Sequence, residues 1–104
     1  MSLTMIVTTF ENEKQASGME KDLLEKRMAA CVKLSSVKSS YLWKGKVVRG
    51  EEVMMTVITD VKKSSSVVSL IKKSHPYDVP EIIEIPVKIR EKAYMEWVEN
   101  VTKN

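Results

Sequence analysis

The chain has 104 residues, 43% of them apolar and 30% charged, and 17 basic side chains against 14 acidic ones give a net charge of +3. This balance excludes an intrinsically disordered chain, and the small, interspersed charge gives no case for a nucleic-acid or anionic-lipid binder. The length allows one core, so a single domain over residues 1–104 is expected.

Cys31 is the only cysteine. No disulfide can close within the chain, and a reducing, cytoplasmic setting is expected. The opening "MSLTMIV" has no basic segment followed by a long apolar one, which predicts neither a signal peptide nor a membrane span. Met1-Ser2-Leu3 is set aside as a remnant of expression.

"TMIVTTF" is rich in β-branched residues and predicts a first, buried strand. A helix follows, with Asn12 and Gln15 spaced as a capping pair and Ala16, Met19, Leu23, Leu24 and Met28 at helical intervals. From Cys31 the period becomes two. Val32 and Leu34 lie on one face, but Val37, Tyr41 and Trp43 have the opposite parity, and a β-bulge near Ser35-Ser36 would restore them to the first face. "KGK" supplies a turn in which Gly45 takes positive φ, and "VMMTVIT" reads as a central strand covered on both sides.

Val67, Leu70 and Ile71 mark a second helix ending before Pro76. Ile83, Ile85, Val87 and Ile89 alternate with polar residues and Pro86, so this strand belongs at a sheet edge or a bulge, since proline cannot donate to a ladder. Ala93, Tyr94, Trp97 and Val101 share one face of a closing helix. The order is βαββαβ plus a terminal helix, an α+β arrangement of the ferredoxin-like kind. Its two edges expose backbone groups that other chains can join, and closed oligomerisation is the simplest remedy.

Three stretches, "EKRMAACVKL", "SSYLWKGKV" and "IKKSHPYDVPEIIEIPV", occur in the order in which they stand in the CutA family, and the chain resembles those divalent-cation tolerance proteins over nearly its whole length. The resemblance implies a tight homotrimer that pairs strand edges between subunits, in an architecture similar to the PII signalling proteins. It further implies a role in tolerance to copper and other divalent metals, membrane anchoring of acetylcholinesterase by animal members, and no catalytic reaction. On this reading the chain is a binding or scaffold protein with no required cofactor. A PII-like sensor of a small anion or metabolite, bound in a cleft at a subunit boundary, is the alternative.

Candidate site residues follow. Cys31 and His75 offer a thiolate and an imidazole suited to copper or zinc, with Glu81 as a further ligand. Two soft ligands do not close a site, so neighbouring subunits would have to contribute. Where some bacterial relatives carry further cysteines this chain has Val7 and Leu70, and a doubled histidine of other relatives is Ser74-His75 here. The plainer reading makes Cys31 a small junction residue. It makes His75 a helix-terminal residue whose ring bonds free carbonyls and whose protonated form the helix dipole favours.

Pro76 and Pro80 stiffen the corner "KSHPYDVPEI", where Tyr77, Asp78 and Glu81 are candidates to line a cleft. Tyr41, Trp43, Pro86 and Trp97 are assigned to the trimer interface, because large aromatics and strand edges gain most from burial against another subunit. RNA binding is not expected, since "VMMTVIT" carries no aromatic on which a base could stack. No phosphate-cradling loop, Ser-His-Asp set or Cys-His pair appears at recognisable spacing.

Overall fold

The computed structural model describes residues 2–103. Its elements are β1 (Leu3–Phe10), α1 (Glu13–Glu25), β2 (Cys31–Trp43), β3 (Lys46–Asp60), a single 3-10 turn (Val61–Lys63), α2 (Ser64–Ser74), β4 (Ile82–Val87) and α3 (Lys92–Thr102). The four strands form one antiparallel sheet in the order β2-β3-β1-β4. β1 and β2 therefore run parallel with β3 inserted between them, which is the split βαβ of the expected ferredoxin-like class.

Local chemistry sets the helix ends. Asn12 Oδ1 accepts from the Gln15 amide at 2.9 Å, and Gln15 Oε1 accepts from the Glu11 amide at 3.1 Å, so two donors at the start of α1 are satisfied reciprocally. At the other end the Met28 amide donates to the Leu23 carbonyl and the Arg27 amide to that of Leu24, with Arg27 at φ 55. This is a Schellman ending with arginine in the place usually taken by glycine. The expected run of α1 to Met28 is thus cut short. Met28 lies beyond the helix, and Leu24, 41% exposed, falls off the buried stripe of Ala16, Met19 and Leu23.

Leu3, set aside with the opening residues, is part of the fold: it pairs with both Asp60 and Val87 and is buried. Met1 lies outside the described residues. The core fills the space between one sheet face and helices α1 and α2, where Ile6, Phe10, Leu23, Met55, Val57 and Ile71 are essentially inaccessible. Each fully buried side chain of this size stabilises by roughly 1.5–3 kcal/mol relative to exposure.

The bulge at Ser35-Ser36 does not form. β2 pairs with β3 in one unbroken register from Cys31↔Ile58 to Trp43↔Lys46. The change of parity is a change of surroundings: Val32 and Leu34 pack on the core, whereas Val37, Tyr41 and Trp43 point from the other face. Past Ser36 the strand has left the body of the domain, and no core remains to require a matching face. Lys44 and Gly45, at φ 51 and 76, make the two-residue turn whose twist suits a hairpin.

β3 is the central strand, but only one of its faces is fully covered, with Met55 and Val57 buried and Met54, Thr56 and Ile58 half-buried. β4 is an edge strand, as Pro86 required, and leaves Ile83 and Ile85 exposed. α3 packs against β3 through Val98 and Thr102, so its buried face is rotated from the expected one, and Ala93 and Trp97 are exposed. The Thr102 hydroxyl returns to the Val98 carbonyl at 2.8 Å, which lets a polar residue sit in that contact. Among the described residues no helix is long and apolar enough to cross a membrane.

Thr8 is inaccessible, and its hydroxyl has no hydrogen-bond partner. Replacing it with valine keeps the shape and removes the orphaned group, so Thr8→Val is expected to stabilise the fold by about 1 kcal/mol, read as a higher denaturant midpoint at unchanged m-value.

Candidate functional site at the His75 corner

α2 ends at Ser74, and His75 turns to extended backbone at ψ 134, the conformation that the following proline imposes. This turn aims the imidazole back at the end of β1. The ring stacks on Phe10, centroids 4.5 Å apart and planes 9° from parallel, and Nε2 lies 2.8 Å from the Thr9 carbonyl. Because a carbonyl only accepts, Nε2 carries the hydrogen. Nδ1 then has the lone pair, and it accepts from the Tyr77 amide at 3.1 Å. His75 is neutral with both nitrogens engaged.

Tyr77 extends the chain of contacts. Its ring tilts against His75 at 4.8 Å, and its hydroxyl donates to Glu52 Oε2 at 2.9 Å. Burial, then the bond to Glu52 and that group's charge, push the phenol far above its ordinary value, so it remains a donor. Burial likewise lowers His75 from its ordinary 6.5, with the Thr9 carbonyl and the Glu52 charge offsetting part of the effect. The expectation of a protonated, dipole-stabilised histidine is corrected: the ring sits against Thr9 and Phe10 of β1, and its burial there disfavours the charged form.

Tyr77 and Asp78 line a shallow cleft of about 420 Å³ with Lys72, Pro80 and Ile82. Glu81 is exposed and lies beside this cleft, outside its lining. A larger groove of about 780 Å³ runs between the start of α2 and α3, where Lys62, Lys63 and Lys103 face Asp60, Glu96 and Glu99. Its opposite charges balance and select no ligand class.

Cys31, His75 and Glu81 do not converge within one chain. Cys31 pairs with Ile58, which in turn pairs with Met5, whereas His75 meets β1 at Thr9. Four residues along the strand separate those levels by about 13 Å, and β3 lies between. Cys31 instead sits by the Tyr94 hydroxyl, where burial and the neighbouring thiol raise the phenol. Among the described residues no group of three or more His, Cys, Asp and Glu side chains could hold a metal ion. With its one lone pair committed to Tyr77, His75 is not a metal ligand in this geometry.

Of the residues assigned to an interface, Tyr41 and Trp43 stand near the hairpin tip, 51% and 58% exposed, with Leu42 at 76% between them. Pro86 lies on the β4 edge, and Trp97 is exposed on α3 against the ring of Tyr94. Sequence reasoning missed Thr9, Phe10, Glu52 and Lys72 as partners of the corner. Glu52 stood in the sequence as a carboxylate just before the β-prone run that begins at Val53.

The family model described as CutA1 divalent ion tolerance protein matches residues 4–101. The chain belongs to that family. It is 36% identical over 104 residues to protein CutA of Mus musculus, covering 99% of this chain and 59% of that one. It is 34% identical over 101 residues to the divalent-cation tolerance protein CutA of Thermococcus kodakarensis, covering 97% of each. The chain thus spans about three fifths of the mammalian relative and nearly all of the archaeal one. Among solved structures it is similar to the periplasmic divalent cation tolerance protein CutA of Archaeoglobus fulgidus, with a TM-score of 0.93, 32% identity, and 97% of this chain and 99% of that one covered. CutA1 of Pyrococcus horikoshii gives a TM-score of 0.92 at 35% identity, with the same coverage.

The lowered His75 value has a signed consequence. The unfolded chain binds this proton more tightly than the folded one, so the histidine's contribution is intact above about pH 6.5, falls as pH drops toward the lower folded value, and then levels off. The stability difference between native protein and a His75→Asn variant is expected to shrink across that window, measured by denaturant unfolding at a series of pH values.

Proposed function

We propose that the protein is a homotrimeric divalent-cation tolerance protein, copper among its ions, which acts in the cytoplasm by binding or scaffolding and catalyses no reaction. Family membership supports the divalent-cation role. The observation that carries the assembly is the projecting hairpin: Tyr41, Leu42, Trp43 and Val47 are all more than half exposed near its tip. Ile83, Ile85 and Trp97 add further exposed apolar surface, and the outer edges of β2 and β4 pair with no strand among the described residues. Exposed apolar residues grouped in this way mark contact surfaces, and unpaired strand edges are satisfied by joining other chains.

Because Cys31, His75 and Glu81 stay apart in one chain, a bound ion is held by groups from more than one subunit. A second reading, a PII-like trimeric sensor of a small anion or metabolite, draws on the corner cleft, whose lining includes Lys72 and Tyr77.

Sedimentation of the full chain is expected to give three times its 11.9 kDa mass. A Leu42→Ser, Trp43→Ser variant is expected to shift the distribution toward the single chain, and a native protein that sediments as a monomer would refute the assembly. Isothermal titration of native and His75→Asn protein with Cu(II), Cu(I) and Zn(II) is expected to give equal affinities. A loss of about tenfold or more in the variant would return the histidine to the ligand set.

A further inference from the structure

The corner is fastened by a contact that tolerates only one protonation state of its histidine. Nδ1 of His75 accepts from the Tyr77 amide at 3.1 Å, and the Nε2 hydrogen goes to Thr9. An imidazolium has hydrogen on both nitrogens. The added proton therefore removes the acceptor and sets one N–H against another, while the bond to Thr9 survives and is strengthened by the charge.

The ring is the better-anchored partner, since it lies flat on the buried Phe10 and is bonded to a strand carbonyl. The 76–80 segment is held less firmly. Among the described residues, none of the backbone-to-backbone hydrogen bonds outside helices and strands involves it. Tyr77 ties it down through two bonds, its amide to His75 and its hydroxyl to Glu52.

We propose that His75 is an acid-sensitive latch on the corner cleft: a proton from solvent at Nδ1 frees the Tyr77 amide, and the 76–80 segment shifts, reshaping the cleft that Tyr77 and Asp78 form with Lys72. No bond between heavy atoms changes. Among the described residues, the charged groups around the latch are Glu52 from β3, Glu11 beyond the end of β1, Lys72 on α2 and Asp78 on the segment itself, with the side chains of Tyr77 and of Tyr41 on β2. Among these, the Glu52 charge favours the proton on His75 and burial opposes it more strongly. The latch is closed at neutral pH and opens as the pH falls below the ordinary imidazole value of 6.5. Its meaning for a ligand rests on the second reading above, whereas the latch itself does not and can be read with no ligand present.

His75 is the only histidine, so its ring signals in ¹⁵N-labelled protein are unambiguous. At about pH 7.5 long-range ¹⁵N–¹H spectra are expected to show the Nε2–H tautomer. From there to about pH 5, hydrogen exchange of the Tyr77 amide, corrected for its intrinsic pH dependence, should lose about tenfold in protection in step with the imidazole titration, the effect of one lost hydrogen bond. His75→Asn places a side-chain carbonyl two residues before the same amide and cannot titrate, so its protection should stay level across the range. Tyr77 protection that is constant through the imidazole titration would overturn the latch. So would a loss in His75→Asn equal to that in the native chain, or an Nδ1–H tautomer at neutral pH.

Discussion

β3 has fifteen residues, and β1, the strand that sits beside it, has eight. Their pairing stops at Phe10↔Val53, so residues 46–52 of β3 run on with β2 alone. This mismatch gives the molecule its long dimension of 45 Å and raises its radius of gyration to 14.5 Å, against about 13 Å for a compact chain of this length. It also accounts for two further features of the chain. The overhang leaves the hairpin aromatics without a core of their own, and it leaves room past the end of β1 for the corner after α2 to reach Glu52.

The corner occupies that room through complementary chemistry. A strand that ends abruptly leaves a carbonyl in need of a donor, and His75 supplies one to Thr9 while covering Phe10, the last core residue of β1. Proline on its C-terminal side forces the extended backbone that aims the ring there. The second ring nitrogen and the Tyr77 hydroxyl then carry the contact on to β3. The two prolines in the corner reduce the freedom of the unfolded chain, so two side-chain bonds suffice to place a segment that has no ladder. The histidine that the sequence offered as ligand or helix terminus caps a strand instead, with both ring nitrogens engaged inside the chain.

The exposed apolar surface has the same origin. Tyr41, Leu42 and Trp43 cannot fold back on the body, because the register of β2 on β3 is unbroken and the strands stay extended to the turn. The second face of the sheet is only partly roofed by α3, and Ile83 and Ile85 lie outside that cover. An eleven-residue helix is about 16 Å long and cannot cover a four-stranded sheet with a long overhang.

The element order, the cap at Asn12, the turn at Gly45 and the edge position of the Pro86 strand were legible in the sequence, because each follows from short-range causes: side-chain period, backbone φ, and a missing amide. Tertiary structure alone decided the rest. The parity change at Ser35-Ser36 has two local explanations, a bulge or a change of surroundings, and only the position where the body of the domain ends selects between them. The buried face of α3 turned away from the expected residues because its partner is β3, and helical period gives a stripe without naming what it meets. His75 could be read as ligand or helix terminus, and its protonation state depends on a carbonyl 66 residues earlier in the chain. Side-chain chemistry states what a residue is able to do, and the choice among those options is made by neighbours that only folding supplies.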